Sequence, residues 1–151
     1  GAIAKLFRLA PDEVITHEAI HAIRLTYAEP RFEEVFAYMT SKAKWRRLIG
    51  PLFRTSRESL LFVLTTLTPF LHPFGISLPL LFIAFASLRL ALTRRSLKKA
   101  LATIAREVGS SEPLAIALHL TDAELATCAR GHFPAGTDLR WKQILARIQA
   151  T

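Results

Sequence analysis

Cysteine is almost absent: Cys128 is the only one in 151 residues, which excludes a disulfide framework and any thiolate-built zinc site. Acidic side chains are scarce as well. Twelve Asp and Glu face twenty Lys and Arg, for a formal net charge of +8, and that imbalance points to an anionic partner, either nucleic acid or an anionic lipid surface. Charge of either sign is missing altogether between Ser59 and Leu88. The N-terminus shows no secretory-leader pattern, because Lys5 and Arg8 interrupt its apolar residues. Internal repeats and low-complexity tracts are also lacking. The length suits one domain with a proper core, spanning residues 1–151, better than two.

Against these absences stands one stretch with concentrated chemical content, His17-Glu18-Ala19-Ile20-His21. Pro11 suits the first turn of a helix, and Asp12 and Glu13 complement the positive end of its dipole. Nothing breaks that helix before about Tyr27. Positions four apart lie on one face, so both imidazoles can point at one ion, with Glu18 beside them as general base towards a metal-bound water. Glu29-Pro30 stops the helix. A second helix is expected from Arg31 to about Arg47, carrying Phe32, Val35, Phe36, Met39 and Trp45. Glu33 and Glu34 open it, twelve and thirteen residues past His21, and a carboxylate from this neighbouring helix is a natural third ligand.

His17-Glu18-x-x-His21 followed by Glu34-Val35-Phe36-Ala37-Tyr38 resembles the gluzincin zinc metallopeptidases, over roughly residues 12–40. The resemblance implies a zinc ion held by His17, His21 and Glu34, the small Ala37 making Glu34 the better match and Glu33 the reserve. It also implies peptide hydrolysis, with Glu18 as the catalytic base. Tyr38 departs from the family's usual Asp, which braces a histidine from behind, so that support must come from elsewhere or be absent.

The uncharged run Ser59–Leu88 exceeds the roughly 20 residues that cross a bilayer once. Pro69, Pro73, Gly75 and Pro79 break its centre, and basic residues flank it on both sides, Lys42 to Arg57 before and Arg89 to Lys99 after. Positive charge marks the cytoplasmic side, so a hairpin is expected, with arms Ser59–Phe70 and Ile76 to about Thr93 and both ends on that side. The first arm is too short to span comfortably, which points to a re-entrant or half-inserted course rather than two full crossings. After it the sequence predicts an amphipathic basic helix Ser96–Val108 ended by Gly109, and a short helix within Ser111–Leu120. A capping box at Thr121 and Glu124 opens a helix to about Arg130, a loop covers Gly131–Gly136, and a terminal helix runs from Thr137 to Ala150.

Each signal has a plainer counterpart. The histidines could be hydrogen-bonded to carboxylates with no metal, and Glu33 and Glu34 could be dipole partners, the one turned from the histidines being solvated or paired with Arg31 or Arg24. Tyr27 and Tyr38 could donate to an oxyanion, or simply pack. The apolar run could be a buried helical pair. His72, His119 and His132 are isolated, and Cys128 reads as a small buried apolar residue. Taken together, the sequence predicts a mainly α, compact zincin-like domain: helices over 12–47 holding the site, a hydrophobic hairpin over 59–93, and C-terminal helices over 96–151. Its expected activity is that of a membrane-associated zinc peptidase. Its partners would be a peptide or protein substrate and membrane lipid, without nucleic acid. The competing readings are a non-catalytic membrane-associated interaction protein with a structural or vestigial metal site and, more weakly, a basic helical nucleic-acid-binding module.

Overall fold

Pro11 does open a helix. In the computed structural model, which describes residues 10–109, 112–134, 141, 142 and 146, α1 spans Pro11–Arg24 with Asp12 and Glu13 in its first turn. Its last expected turn tightens into a 3-10 turn, Leu25–Tyr27, before Ala28 takes a left-handed conformation (φ 50°) and Glu29 extends into Pro30. That sharp reversal lays α2, Pro30–Met39, against α1. Phe32, Val35 and Phe36 form its buried stripe at helical spacing, which leaves Glu33 and Glu34 at the flank beside α1.

The second helix does not reach Arg47 unbroken. It stops at Met39, and α3 begins afresh at Lys44 and runs to Ile49. Glu13 causes the break: its carboxylate takes the Ser41 hydroxyl and, at 2.8 Å, the Lys42 amide, a donor that would otherwise belong to a continuing helix.

The hydrophobic hairpin is formed by α4, Ser56–Thr65, a short α5, Thr68–Leu71, a 3-10 turn over Pro73–Ile76, and α6, Ser77–Val108. At its tip Gly75 lies so close to the chain that an added Cβ would sit 2.1 Å from the Thr68 carbonyl oxygen, and the Thr68 hydroxyl donates to the Gly75 carbonyl at 2.7 Å. Phe62 on the first arm and Phe82 on the second meet with ring centroids 5.7 Å apart, joined by Phe53. At the root, Arg89 grips both carboxylate oxygens of Glu58, at 2.5 and 2.6 Å.

The second arm does not end near Thr93, and no separate helix starts at Ser96. Both belong to α6, because neither Gly nor Pro occurs between Pro79 and Gly109 to interrupt it. Its C-terminal half packs on α7, Pro113–Ala117, and α8, Asp122–Ala129, burying Leu97, Ala100 and Ile104 against Ile116, Leu120, Leu125 and Cys128. The expected capping box is formed: the Thr121 hydroxyl accepts the Glu124 amide at 3.2 Å, and the Thr121 amide donates to the Glu124 carboxylate at 2.8 Å. Burial pushes the Cys128 thiol up to about 11. Gly1–Leu9 and most of the expected terminal helix Thr137–Ala150 lie outside the described residues; Trp141 is buried with the core.

The chain is therefore mainly helical, with no strand among the described residues. One helix, within Pro73–Val108, is long and apolar enough to cross a membrane, and only 22% of its most apolar window is buried. Leu60, Leu64, Phe70, Leu71, Phe74 and Leu81 are all exposed, so the hairpin is not a pair of helices inside a soluble core.

Candidate metal centre

His17 and His21 sit in the middle of α1, one turn apart and half-buried, on a helix anchored at both ends. Near its start, Glu13 reaches Ser41, Lys42 and, at 3.3 Å, the Arg46 guanidinium. At its end, the buried Arg24 donates to the Leu120 carbonyl at 2.9 Å and to Asp122 at 2.7 Å, and its guanidinium lies over the Phe36 ring. The anchors hold α1 against both α2 and α8, with Ile20 as the apolar contact between them. The histidine face of α1 is thereby presented to the start of α2.

There the two neighbouring carboxylates divide the work. Glu33 accepts a hydrogen bond from His21 Nδ1 at 2.7 Å. Its partner is therefore neither Arg31 nor Arg24, and it faces the back of the imidazole. Glu34 lies on the other side of the ring, its Oε1 3.9 Å from His21 Nε2. His17 Nε2 and His21 Nε2 approach to 3.2 Å. One donor atom from each of His17, His21 and Glu34 falls within 4.8 Å of the others, close enough for the three to hold a metal ion. With the His21 Nδ1 proton directed to Glu33, His21 Nε2 carries the lone pair on the Glu34 side.

Burial raises the Glu34 carboxyl above its ordinary value; the His21 and His17 charges oppose that shift, while those of Glu33 and Glu18 add to it. Three carboxylates thus surround two imidazoles, an excess of local negative charge in a protein whose net charge is +8. Glu18 is exposed and makes no hydrogen bond or ion pair among the described residues. Its carboxylate is uncommitted.

The two tyrosines separate. Tyr27 turns away from the histidines and donates its hydroxyl to the His119 carbonyl at 2.9 Å, so it serves the packing of α1. Tyr38 stands edge-on to the His17 ring, with centroids 4.9 Å apart, and its hydroxyl is pushed up by burial and then by Glu34. The ring lies on Gly50, where an added Cβ would sit 2.2 Å from a ring carbon. Beside Glu34 and Tyr38 opens a cavity of about 350 Å³ that reaches Arg54, Thr55, Ser56 and Ser59, the root of the hairpin.

The bracing role of Glu33 behind His21 is not read from the sequence, where its adjacency to Glu34 is the available signal. Gly50 and the Glu13 and Arg24 anchors carried none, except that Arg24 follows Ile20 at the spacing of the buried face. Comparison with known proteins places no relative beside this arrangement: no protein-family model matches the chain, and no curated protein and no solved structure matches it either.

Proposed function

We propose that this chain is a zinc-dependent peptidase of gluzincin type, seated at a membrane through its hairpin. The observation that carries the reading is the 3.2 Å separation of His17 Nε2 and His21 Nε2, with Glu34 beside them and Glu33 behind. Two nitrogens bound at 2.0–2.1 Å to a tetrahedral zinc lie roughly 3.3 Å apart, so the imidazoles already stand at the spacing of one edge of that tetrahedron. Glu34 Oε1 stands 3.9 Å from His21 Nε2, and the three donor atoms lie within 4.8 Å of one another, so the carboxylate would move inward to complete the set. His17, His21 and Glu34 would hold the ion. When bound, zinc supplies Lewis acidity that favours ionisation of a coordinated water and polarises a carbonyl.

The chain's own groups do the rest. Glu33 keeps the His21 proton on Nδ1 and fills the place of the bracing Asp that the resemblance lacks at Tyr38. Glu18, which has no hydrogen bond or ion pair among the described residues, would take a proton from the attacking water on its carboxylate and return it to the leaving amine. The cavity between Glu34 and the root of α4, lined by Arg54, Thr55, Ser56 and Ser59, supports entry of a peptide segment beside the hairpin.

For the hairpin, the exposed apolar arms support insertion. The lengths favour a re-entrant course. The ten residues of α4 rise about 15 Å, and the part of α6 not packed on α8, Ser77 to about Leu92, rises about 24 Å, both short of a hydrocarbon core about 30 Å thick. Basic residues at both roots support a course with both ends on the cytoplasmic side.

The test uses protein purified without chelator or metal-affinity resin. Elemental analysis should give about one zinc per chain in the parent and little in His17→Ala. Glu18→Gln should keep the zinc and lose cleavage of a co-expressed membrane protein by about a hundredfold to ten-thousandfold. Equal zinc in parent and His17→Ala would remove the metal site. Equal cleavage by Glu18→Gln would leave a non-catalytic membrane protein.

A further inference from the structure

Where α6 leaves its apolar stretch, a groove of about 780 Å³ opens between it and α8. Arg31, Arg95, Lys98, Lys99 and Arg130 line it, with no acidic residue among the described residues of its walls. All five are exposed, and none forms an ion pair with a carboxylate among the described residues. Arg31 lies over the Phe32 ring and Arg130 donates to the Thr127 hydroxyl, contacts that position the guanidinium groups without neutralising them. Five like charges gathered around one concavity repel each other unless an anion offsets them.

The groove is not polar throughout. Leu92, Ala102, Ala126 and Ala129 supply its floor. A second cavity of about 430 Å³ shares Arg31 and Leu92 with it and adds Phe85, Leu88, Arg54, Arg89 and Thr93. Arg89 is already paired with Glu58 and Arg54 donates to the Thr93 hydroxyl, so the cationic chamber continues into a slot whose apolar wall is Phe85, Leu88 and Leu92. Arg95 lies three residues beyond Leu92 and Lys99 seven, which is about 5–10 Å along the axis. The headgroup layer of a bilayer is roughly 5–7 Å deep on each side. With Leu88 and Leu92 at the hydrocarbon boundary, Arg95 stands at headgroup depth, and Lys98 and Lys99 start just beyond it, within reach on their long side chains.

We infer that this groove is a binding site for an anionic phospholipid, its phosphate among Arg31, Arg95, Lys98, Lys99 and Arg130 and the start of an acyl chain against Leu92, Leu88 and Phe85. The inference rests on the reading of the hairpin as inserted in a membrane. It differs from general attraction to a charged surface because the cations converge on one chamber with an apolar exit.

The experiment is reconstitution of the full chain into phosphatidylcholine vesicles containing one fifth phosphatidylglycerol, with insertion checked by flotation and co-purified lipid counted by native mass spectrometry. The parent should retain phosphatidylglycerol at least tenfold over phosphatidylcholine after correction for abundance. Lys98→Gln with Lys99→Gln should abolish that preference, since roughly fivefold per basic residue makes about twenty-fivefold for the pair. Lys44→Gln with Arg47→Gln, an equal charge change outside the groove, should leave it unchanged. Insertion with no headgroup preference, or an equal loss in both double variants, would overturn the site alone. Displacement of the lipid by millimolar inorganic phosphate, or by a single-stranded oligonucleotide, would overturn it in favour of that ligand. A protein that stays in buffer and floats with no vesicle would overturn the membrane reading and the lipid with it.

Discussion

At the scale of single residues, the site turns on two adjacent carboxylates with different jobs. Glu34 faces the side where His17 and His21 converge, whereas Glu33 holds the back of His21. Replacing a direct ligand should cost more than replacing its support. Glu33→Gln is expected to weaken zinc binding by about tenfold to a hundredfold, the usual effect of losing a partner that orients a ligand. Glu34→Gln should weaken it further. Competition with a chromophoric chelator measures both, and the reverse order would make Glu33 the third ligand. A second prediction concerns Gly50, whose missing side chain makes room for the Tyr38 ring against His17. Gly50→Ala should displace that ring and destabilise the fold by about 1–3 kcal/mol, as overpacking does, with a lowered thermal midpoint in detergent as the readout. An unchanged midpoint would show that the ring moves aside freely.

Among the elements, α1 is held at its start by Glu13 and at its end by Arg24, and the first anchor titrates. The Ser41 hydroxyl, the Lys42 amide and the Arg46 charge hold the Glu13 carboxyl below its ordinary value of 4.5, against the opposing effect of burial. Protons therefore bind the unfolded chain more readily than the folded one at this position. Stability from Glu13 is present above about pH 4.5 and is lost as pH falls through the lower folded value. Glu13→Gln should be less stable than the parent at pH 7, and the gap should narrow below pH 4.5 and close further into acid. Chemical denaturation of both proteins across that range checks it; a gap independent of pH would mean that Glu13 acts through packing alone. The same contact explains why α2 and α3 are two helices. An acidic residue 28 positions before Ser41 takes the donors that a single helix would have used.

For the whole molecule, α6 joins two environments. Its N-terminal half presents Leu78, Leu80, Leu81 and Phe85 outward, while its C-terminal half is buried against α8. The core takes in Leu90, Leu97, Ala100 and Ile104 of this helix, so the proposed re-entrant course uses the part before them. Cysteines introduced one at a time at Lys44 and Lys98, in a Cys128→Ser background, should both be labelled from the same side of sealed vesicles. Labelling from opposite sides would mean that the hairpin crosses the membrane once.

By itself the sequence determined what depends on short range. His17 and His21 share a face because a helix repeats every 3.6 residues, and Pro11, Glu29-Pro30, the Thr121–Glu124 box and Gly109 mark ends through local backbone chemistry. The exposed hairpin was likewise legible, since an uncharged run broken by prolines needs no partner to be read. Only the tertiary structure decided which of Glu33 and Glu34 faces which nitrogen. Neighbours on a helix point about 100° apart, and their targets depend on how α1 crosses α2, which Ile20, Phe32 and the Arg24–Asp122 pair set from distant parts of the chain. For the same reason the break at Thr40–Ala43 and the unbroken course of α6 went unread: the first is imposed by Glu13 from another helix. The second follows where core packing carries the helix on through Arg94, Arg95, Lys98 and Lys99, past the point at which the change from apolar to basic residues suggested an end.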